Sequence, residues 1–256
     1  MISSRNEHIA GASHLQHGAP ERLHMTDTSP DKALDFTPAF PLRWAYDPIV
    51  STLTREARWR QSLLRQVNPG PRDVIADVGC GTASFLALLG CHSSPPERLI
   101  GIDPDAEILA RAREKLVAAD VLVTLELGYL RDVATKLSGS GVNKIVSSLV
   151  FHQVPLAEKR AGLRAIFDAL PEGGELHIAD YGLQRTVLMR TCFRLVQLFD
   201  GKEDTQPNAD GLLPRLMEEA GFERVEETDV VPTLTGSFSL YRAVKPPQCV
   251  GSGVVR

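Results

Sequence analysis

Between residues 74 and 85 the chain reads VIADVGCGTASF. An apolar run ends in an acid, Asp77, and breaks into two closely spaced glycines, Gly79 and Gly81, with Cys80 between them and Thr82 after. A strand that gives way to such a turn ahead of a helix brings backbone close to a nucleotide-like ligand, because glycine reaches positive φ and carries no Cβ. The dinucleotide fingerprint needs a third glycine at the sixth position from Gly79, and that place holds Ser84. A shorter G-x-G-x-G turn fits better, with small Ala83 in fifth place, although alanine tolerates positive φ poorly. A second acid follows in LIGIDPD, where Asp103 ends the next apolar run 22 residues after Gly81. In doubly wound sheets an acid there accepts hydrogen bonds from ribose hydroxyls. The plainer alternative is that Asp103 and Asp105 cap the helix starting near Ala106. On consecutive strand ends, the two motifs together point to an adenosine-type ligand.

A second group of chemistry-bearing residues lies further on. His152 stands just after an apolar run in FHQVP, and Asp180 and Tyr181 end another in IADYG. A histidine so placed can act as a general base toward an acceptor, or only hydrogen-bond its own loop. Asp180 is open to a substrate-facing or a structural role. Tyr46, in WAYDP, reads as a lid or packing residue. No HExxH and no Cys/His cluster is present, so no metal is expected.

The elements that must carry these residues follow from periodicity. Strands are expected at 74–78, 98–102, 121–127, 144–151 and 175–180, with helices between them. Leu109, Ala112 and Leu116 recur at helical spacing in one helix, and Leu156, Leu163, Ile166 and Phe167 in the next. Strand alternating with helix means right-handed crossovers and a parallel sheet covered on both faces. A helix from Asp47 to Val67 is expected to place Leu53, Ala57, Leu64 and Val67 on one stripe and arginines opposite. Near the C-terminus a helix stopped by Gly221 leads into ERVEETDVV, a short linker PTLTG, and SFSLYRAV. The fold expected is α/β, a doubly wound, Rossmann-like, mostly parallel seven-stranded sheet with a C-terminal antiparallel β-hairpin.

Segment 182–211 interrupts this plan. Its first half has apolar residues at helical spacing (Val187, Leu188, Cys192, Leu195, Leu198, Phe199), and its second half reads as a polar, acidic loop. It is expected to arch over the acceptor pocket, suiting a hydrophobic substrate, a dimer contact or simple packing. Residues 1–33 lack sustained periodicity and read as a flexible extension, residues 34–72 as a helical lid, 73–245 as the main domain, and 246–256 as a flexible tail.

Composition narrows the partners. A net charge of −4 without a basic run argues against nucleic acid. Four cysteines, Cys80, Cys91, Cys192 and Cys249, stand far apart without CxxC spacing, which predicts a reducing, cytoplasmic setting. No apolar window is long enough for an integral membrane segment, and no signal-peptide core opens the chain. A monomer or homodimer acting on a small molecule is expected.

Taken in order, VIADVGCGTASF, LIGIDPD, KIVSSLVFHQVP and LPEGGELHIADYG resemble the motif series of class I S-adenosylmethionine-dependent methyltransferases. The small-molecule branch that includes the ubiquinone- and menaquinone-biosynthesis enzymes is the most similar, over roughly residues 44–245. The resemblance implies S-adenosyl-L-methionine as cofactor and S-adenosyl-L-homocysteine as product. It implies that Gly79, Cys80, Gly81 and Thr82 line the methionine part, that Asp77 holds its ammonium, and that Tyr46 folds over it. Asp103 would bind the ribose, with Ile102 and Pro104 flanking the adenine, and Ser148 would touch the cofactor. Where the family usually has Gly-Asp after the third strand, this chain has Gly128, Tyr129 and Leu130, so the resemblance implies cofactor contacts from Tyr129 and Leu130 through their backbone, while the adenine carboxylate contact is missing unless Asp132 supplies it. The methyl acceptor side would hold His152, Asp180 and Tyr181. Two other classes stay open on these residues: a non-catalytic methyltransferase-like binding subunit, and an NAD-dependent oxidoreductase, which Ser84 disfavours. A third role, arsenic methylation, would want several cysteines converging at the acceptor mouth, and only Cys192 lies where that mouth is expected.

Overall fold

A computed structural model describes residues 55–247. Helix α1 (Glu56–Val67) leads into β1 (Val74–Val78), α2 (Ser84–Gly90), β2 (Arg98–Asp103), α3 (Ala106–Ala118) and β3 (Thr124–Leu127). A 3-10 turn at Leu130–Asp132 and the short α4 (Val133–Lys136) precede β4 (Lys144–Ser148). A second 3-10 turn at Phe151–Gln153 precedes α5 (Leu156–Ala169) and β5 (Glu175–Tyr181). Then come α6 (Val187–Asp200), α7 (Lys202–Ala209), α8 (Leu213–Glu219), β6 (Glu223–Thr233) and β7 (Gly236–Val244).

The strands form one seven-stranded sheet in the order β3-β2-β1-β4-β5-β7-β6. β1 to β5 pair in parallel, and β7 runs antiparallel to both β5 and β6. The expected architecture is therefore the observed one. Strand order reverses between β1 and β4, which creates the crevice where ligands of such sheets bind.

All five residues of β1 are buried because helices cover both sheet faces. Val74, Ala76 and Val78 join one apolar core with α5 and α8, while Ile75 faces the other, with Trp59 and Leu63 of α1. Alternation then puts the Asp77 side chain on the α1 face as well. Along the next row of the sheet, Asp77 pairs with Val146 and Val146 with His177, whose Nδ1 lies 3.0 Å from Gln66 Nε2 of α1. α1 thus lies across the face from which Asp77 projects.

Several expected details change. The inward stripe of α1 is Trp59, Ser62, Leu63 and Val67; Ala57 is exposed and Leu64 only half-buried. Trp59 sets that phase, stacking on Phe238 with ring centroids 4.9 Å apart. Leu53, Tyr46 and the helix start at Asp47 lie outside the described residues, as do the extension 1–33 and the end of the tail. β3 begins only at Thr124, and β4 stops at Ser148 because Leu149 takes φ +59 and starts a turn. The linker PTLTG is shorter than expected, since β6 runs through Thr233 and β7 starts at Gly236. The acidic second half of 182–211 is helical, as α7, rather than a loop. Asp105 is the N-cap of α3, accepting from the Glu107 and Ile108 amides, while Asp103 is engaged elsewhere.

Candidate active site

The turn after β1 sits where β1 and β2 end together. Gly79 (φ +74) and Cys80 donate their amides to the Ile102 carbonyl at 2.8 and 3.1 Å. A Cβ on Gly79 would lie 2.2 Å from Val150 Cγ2, so that position admits only glycine without movement of the β4 loop. Gly81 (φ +52) differs: a Cβ there would meet nothing among the described residues within 4 Å, leaving space between them beside the backbone. Ala83 occupies the left-handed region at φ +58, the strain expected for a non-glycine residue at that place. The turn accepts that strain where α2 must begin.

Asp103 locks this turn. Its Oδ2 accepts the Gly81 amide at 2.8 Å and its Oδ1 the Asp105 amide at 3.0 Å. Each oxygen keeps a second lone pair. Burial raises the Asp103 pKa, and the two amides oppose that rise. Pro104 is exposed beside it, whereas the Ile102 side chain is committed to the core and offers a ligand only its backbone.

Asp77 is the least satisfied group in the site. It is 1% exposed, and its Oδ1 has no hydrogen-bond partner among the described residues. A buried carboxylate oxygen without a donor is costly, and its presence at a ligand crevice calls for an occupant. Burial pushes its pKa up to about 7, with the Arg60 charge lowering it and the Asp103 charge raising it. Arg60 of α1 is itself incompletely paired: it bridges to Glu56, yet its buried Nε has no partner among the described residues. The Trp59 Nε1 beside it is likewise buried and unpaired among the described residues. Cys80 is buried, and burial pushes its thiol well above its usual range. Thr82 Oγ1 lies 3.3 Å from Ser84 Oγ and 3.4 Å from Lys115 Nζ at the rim.

The far rim is less open. Tyr129 is half-buried beneath the Arg131 guanidinium, 4.8 Å from its ring, and Leu130 points into the core. Asp132 Oδ2 accepts the Tyr129 amide at 3.0 Å, so its carboxylate is turned back onto the chain. Ser148 is half-buried at the end of β4, next to the strained Leu149.

At the β4 and β5 ends the structure brings His152, Asp180 and Tyr181 together. His152 Nδ1 lies 2.7 Å from Asp180 Oδ1, and Asp180 Oδ2 accepts the His152 amide at 3.2 Å. On the other side, His152 Nε2 is 3.4 Å from Asp200 Oδ2. Burial alone lowers the imidazole pKa, but the two carboxylates outweigh it and push it up to about 9. Both ring nitrogens are thus engaged, with the ring edge-on to Tyr181 at 5.0 Å. Tyr181 OH is 2.8 Å from Thr235 Oγ1, and its ring packs on Phe193 of α6. Of α6, Phe193 and Val196 are buried, while Val187, Leu188, Leu195 and Leu198 face outward. The apolar residues singled out from the sequence are therefore mostly the outer face of the helix.

Three polar residues of this region escape a reading by motif: Arg60, Lys159 and Asp200. Each has a spacing signal. Lys159 precedes Leu163 and Ile166 by four and seven residues, and Asp200 follows Phe193 and Val196 by seven and four. Both charges therefore sit on an apolar stripe. Arg60 lies three and seven residues before the buried Leu63 and Val67.

The Methyltransferase domain family matches residues 75–174, which span β1 to the residue before β5. The chain is 33% identical over 110 residues to the carboxy-S-adenosyl-L-methionine synthase of Trichodesmium erythraeum, covering 43% of each chain. It is 28% identical over 153 residues to a demethylmenaquinone methyltransferase of Bacteroides fragilis, covering 59% of this chain and 61% of that one. The chain thus spans between about two fifths and three fifths of the length of these curated relatives. Among solved structures, an N-methyltransferase of Bradyrhizobium japonicum in complex with S-adenosyl-L-homocysteine shares the fold. Its TM-score is 0.57 at 18% identity, over 82% of this chain and 94% of that one. In this sheet order, this glycine turn and this family match, the chain is similar to the class I S-adenosylmethionine-dependent methyltransferases.

Proposed function

We propose that the protein transfers a methyl group from S-adenosyl-L-methionine to a small acceptor with an apolar body. The observation that carries this reading is the buried Asp77 Oδ1 at the glycine turn, which has no hydrogen-bond partner among the described residues. A ligand with an ammonium group supplies the donor that Asp77 Oδ1 lacks, and a carboxylate on the same ligand suits the Arg60 Nε–H, unpaired among the described residues. The residues present therefore fit a zwitterionic amino-acid tail. The space beside Gly81 admits the ligand chain next to the backbone. Asp103, held by the Gly81 and Asp105 amides, keeps lone pairs for ribose hydroxyls. Cys80, Thr82, Pro104 and Ser148 fill the surrounding rim, with Tyr129 and Leu130 contributing by backbone.

When bound, the cofactor supplies a sulfonium whose methyl group is already electrophilic. The chain's task is then to orient the acceptor, fix the reacting distance and exclude water. Tyr181 supports this as a rigid wall: its hydroxyl is tied to Thr235 and its ring is packed between His152 and Phe193. His152 and Asp180, each already engaged, serve to hold that wall in place, and the acceptor supplies its own nucleophilic atom. The insertion 182–211 caps this side as two helices, and the inward Phe193 and Val196 of α6 favour an acceptor with hydrophobic character. The names of the relatives support the small-molecule class.

The test is a panel of small acceptors incubated with methyl-labelled cofactor and read by product mass. One product carrying the label, formed in proportion to enzyme, is the expected result. Label confined to the cofactor across phenolic, amine, carboxylate and quinol acceptors would count against a small-molecule substrate.

A further inference from the structure

Two cations reach the elbow at which α6 meets α7. His152, 5% exposed, bridges Asp180 at the end of β5 and Asp200, the last residue of α6. Lys159, fully buried on α5, donates Nζ to the Val154 carbonyl and, at 2.9 Å, to the Asp204 carbonyl in the first turn of α7. Between these anchor points the chain turns at Gly201, with φ +82.

Neither charge is where helix physics would put it. Asp200 occupies the C-terminal end of α6, where a carboxylate opposes the helix dipole, and it lies on the buried stripe. Lys159 stands among the buried residues of α5, on the stripe that carries Leu163 and Ile166. Such placements are costly unless the charges satisfy each other. Here they do. The groups facing the imidazole are Asp180 from β5, Asp200 from α6 and the Tyr181 ring. Lys159 from α5 and the half-buried Asp204 from α7 complete the surroundings. With both cations protonated, Asp180 and Asp200 are balanced by His152 and Lys159.

We propose that Asp200 and Lys159 are positioning residues that fasten the α6–α7 elbow to the β4–α5 connection, with His152 as the buried link, and so fix α6 over the acceptor end of the sheet. That this end takes the acceptor rests on the reading above; the fastening itself does not. Burial draws the Lys159 pKa down to about 8 against the opposing pull of Asp180 and Asp204, so both cations are held at neutral pH.

The test uses the full chain. Histidine side-chain NMR on the wild type should show His152 as an imidazolium titrating well above the ordinary histidine range of about 6.5. Asp200→Asn should lower that titration, and hydrogen exchange at amides 198–205 should accelerate about tenfold or more while the β-sheet amides keep their rates. Lys159→Met should accelerate the same amides. Asp200→Glu should restore part of the His152 signature. A His152 that titrates in the ordinary range in the wild type would overturn the proposal even if no variant folds. So would Asp200→Asn exchange that is unchanged at the elbow, or accelerated uniformly across the sheet. None of these readouts needs a ligand, so a wild-type chain that fails to bind S-adenosyl-L-homocysteine would count against the cofactor reading alone.

Discussion

If Asp77 receives an ammonium, its own titration must govern binding near neutral pH. Burial holds its pKa at about 7 in the unliganded chain, and only the ionised carboxylate pairs with the ligand. About nine tenths of the molecules are ionised one pH unit above that value and about one tenth one unit below. Between about pH 8 and pH 6 the dissociation constant for S-adenosyl-L-homocysteine should therefore weaken by roughly tenfold. Asp77→Asn should weaken binding by about 1.5–3 kcal/mol, the range for a hydrogen bond to a charged group, and flatten the pH dependence. The same substitution should stabilise the unliganded protein. A carboxyl whose pKa rises on folding, from 3.8 to about 7, adds stability below pH 4 that is lost as pH rises to 7. The full shift corresponds to roughly 4 kcal/mol, of which about 1–3 kcal/mol should appear in Asp77→Asn, because the new amide is buried too. Isothermal calorimetry in buffers of different ionisation enthalpy reads the binding and the proton released. Thermal melts of both proteins from about pH 5 to pH 8 read the stability difference, which should grow and then level off. Affinity independent of pH, or an Asp77→Asn protein less stable than wild type at pH 8, would refute the assignment.

Other expectations follow from the same geometry. Asp103→Ala should cost about 1–3 kcal/mol of cofactor affinity, since it removes both the ribose acceptor and the tie to the Gly81 amide; unchanged affinity by calorimetry would contradict the ribose role. Arg60→Gln should weaken S-adenosyl-L-homocysteine by about tenfold, yet leave its decarboxylated analogue within about twofold. Equal losses for both ligands would remove Arg60 from the carboxylate. Gly79→Ala should destabilise the fold by about 1–3 kcal/mol, because its Cβ would overlap Val150 in a positive-φ turn. A melting temperature within error of wild type would show that the loop can give way.

The sheet was readable because its information is local. Each of β1, β2, β4 and β5 is an apolar run followed by a chemically marked turn, and the last two strands are joined by a connection too short for a crossover. The glycine turn and Asp103 were readable for the same reason: adjacent strand ends make sequence spacing a proxy for distance. What the sequence hid was the phase and pairing of charges. The stripe of α1 is set by Trp59 stacking on Phe238, a residue near the other end of the chain. The outward turn of α6 depends on Phe193 meeting Tyr181. Asp200 sits in a stretch whose acids look like solvated surface, and only the tertiary contact with His152 makes it a buried partner. The same contact engages the histidine nitrogen that a general base would need free, which motif reading could not show.

On this reading the crevice beyond the end of β1 holds S-adenosyl-L-methionine and no dinucleotide. Calorimetry of the full chain against S-adenosyl-L-homocysteine and, in parallel, against NAD tests it most directly. Saturable, single-site heat with S-adenosyl-L-homocysteine that Asp77→Asn weakens, and none with NAD, is the expected result. Heat with NAD, or silence with S-adenosyl-L-homocysteine at millimolar concentration, would contradict it.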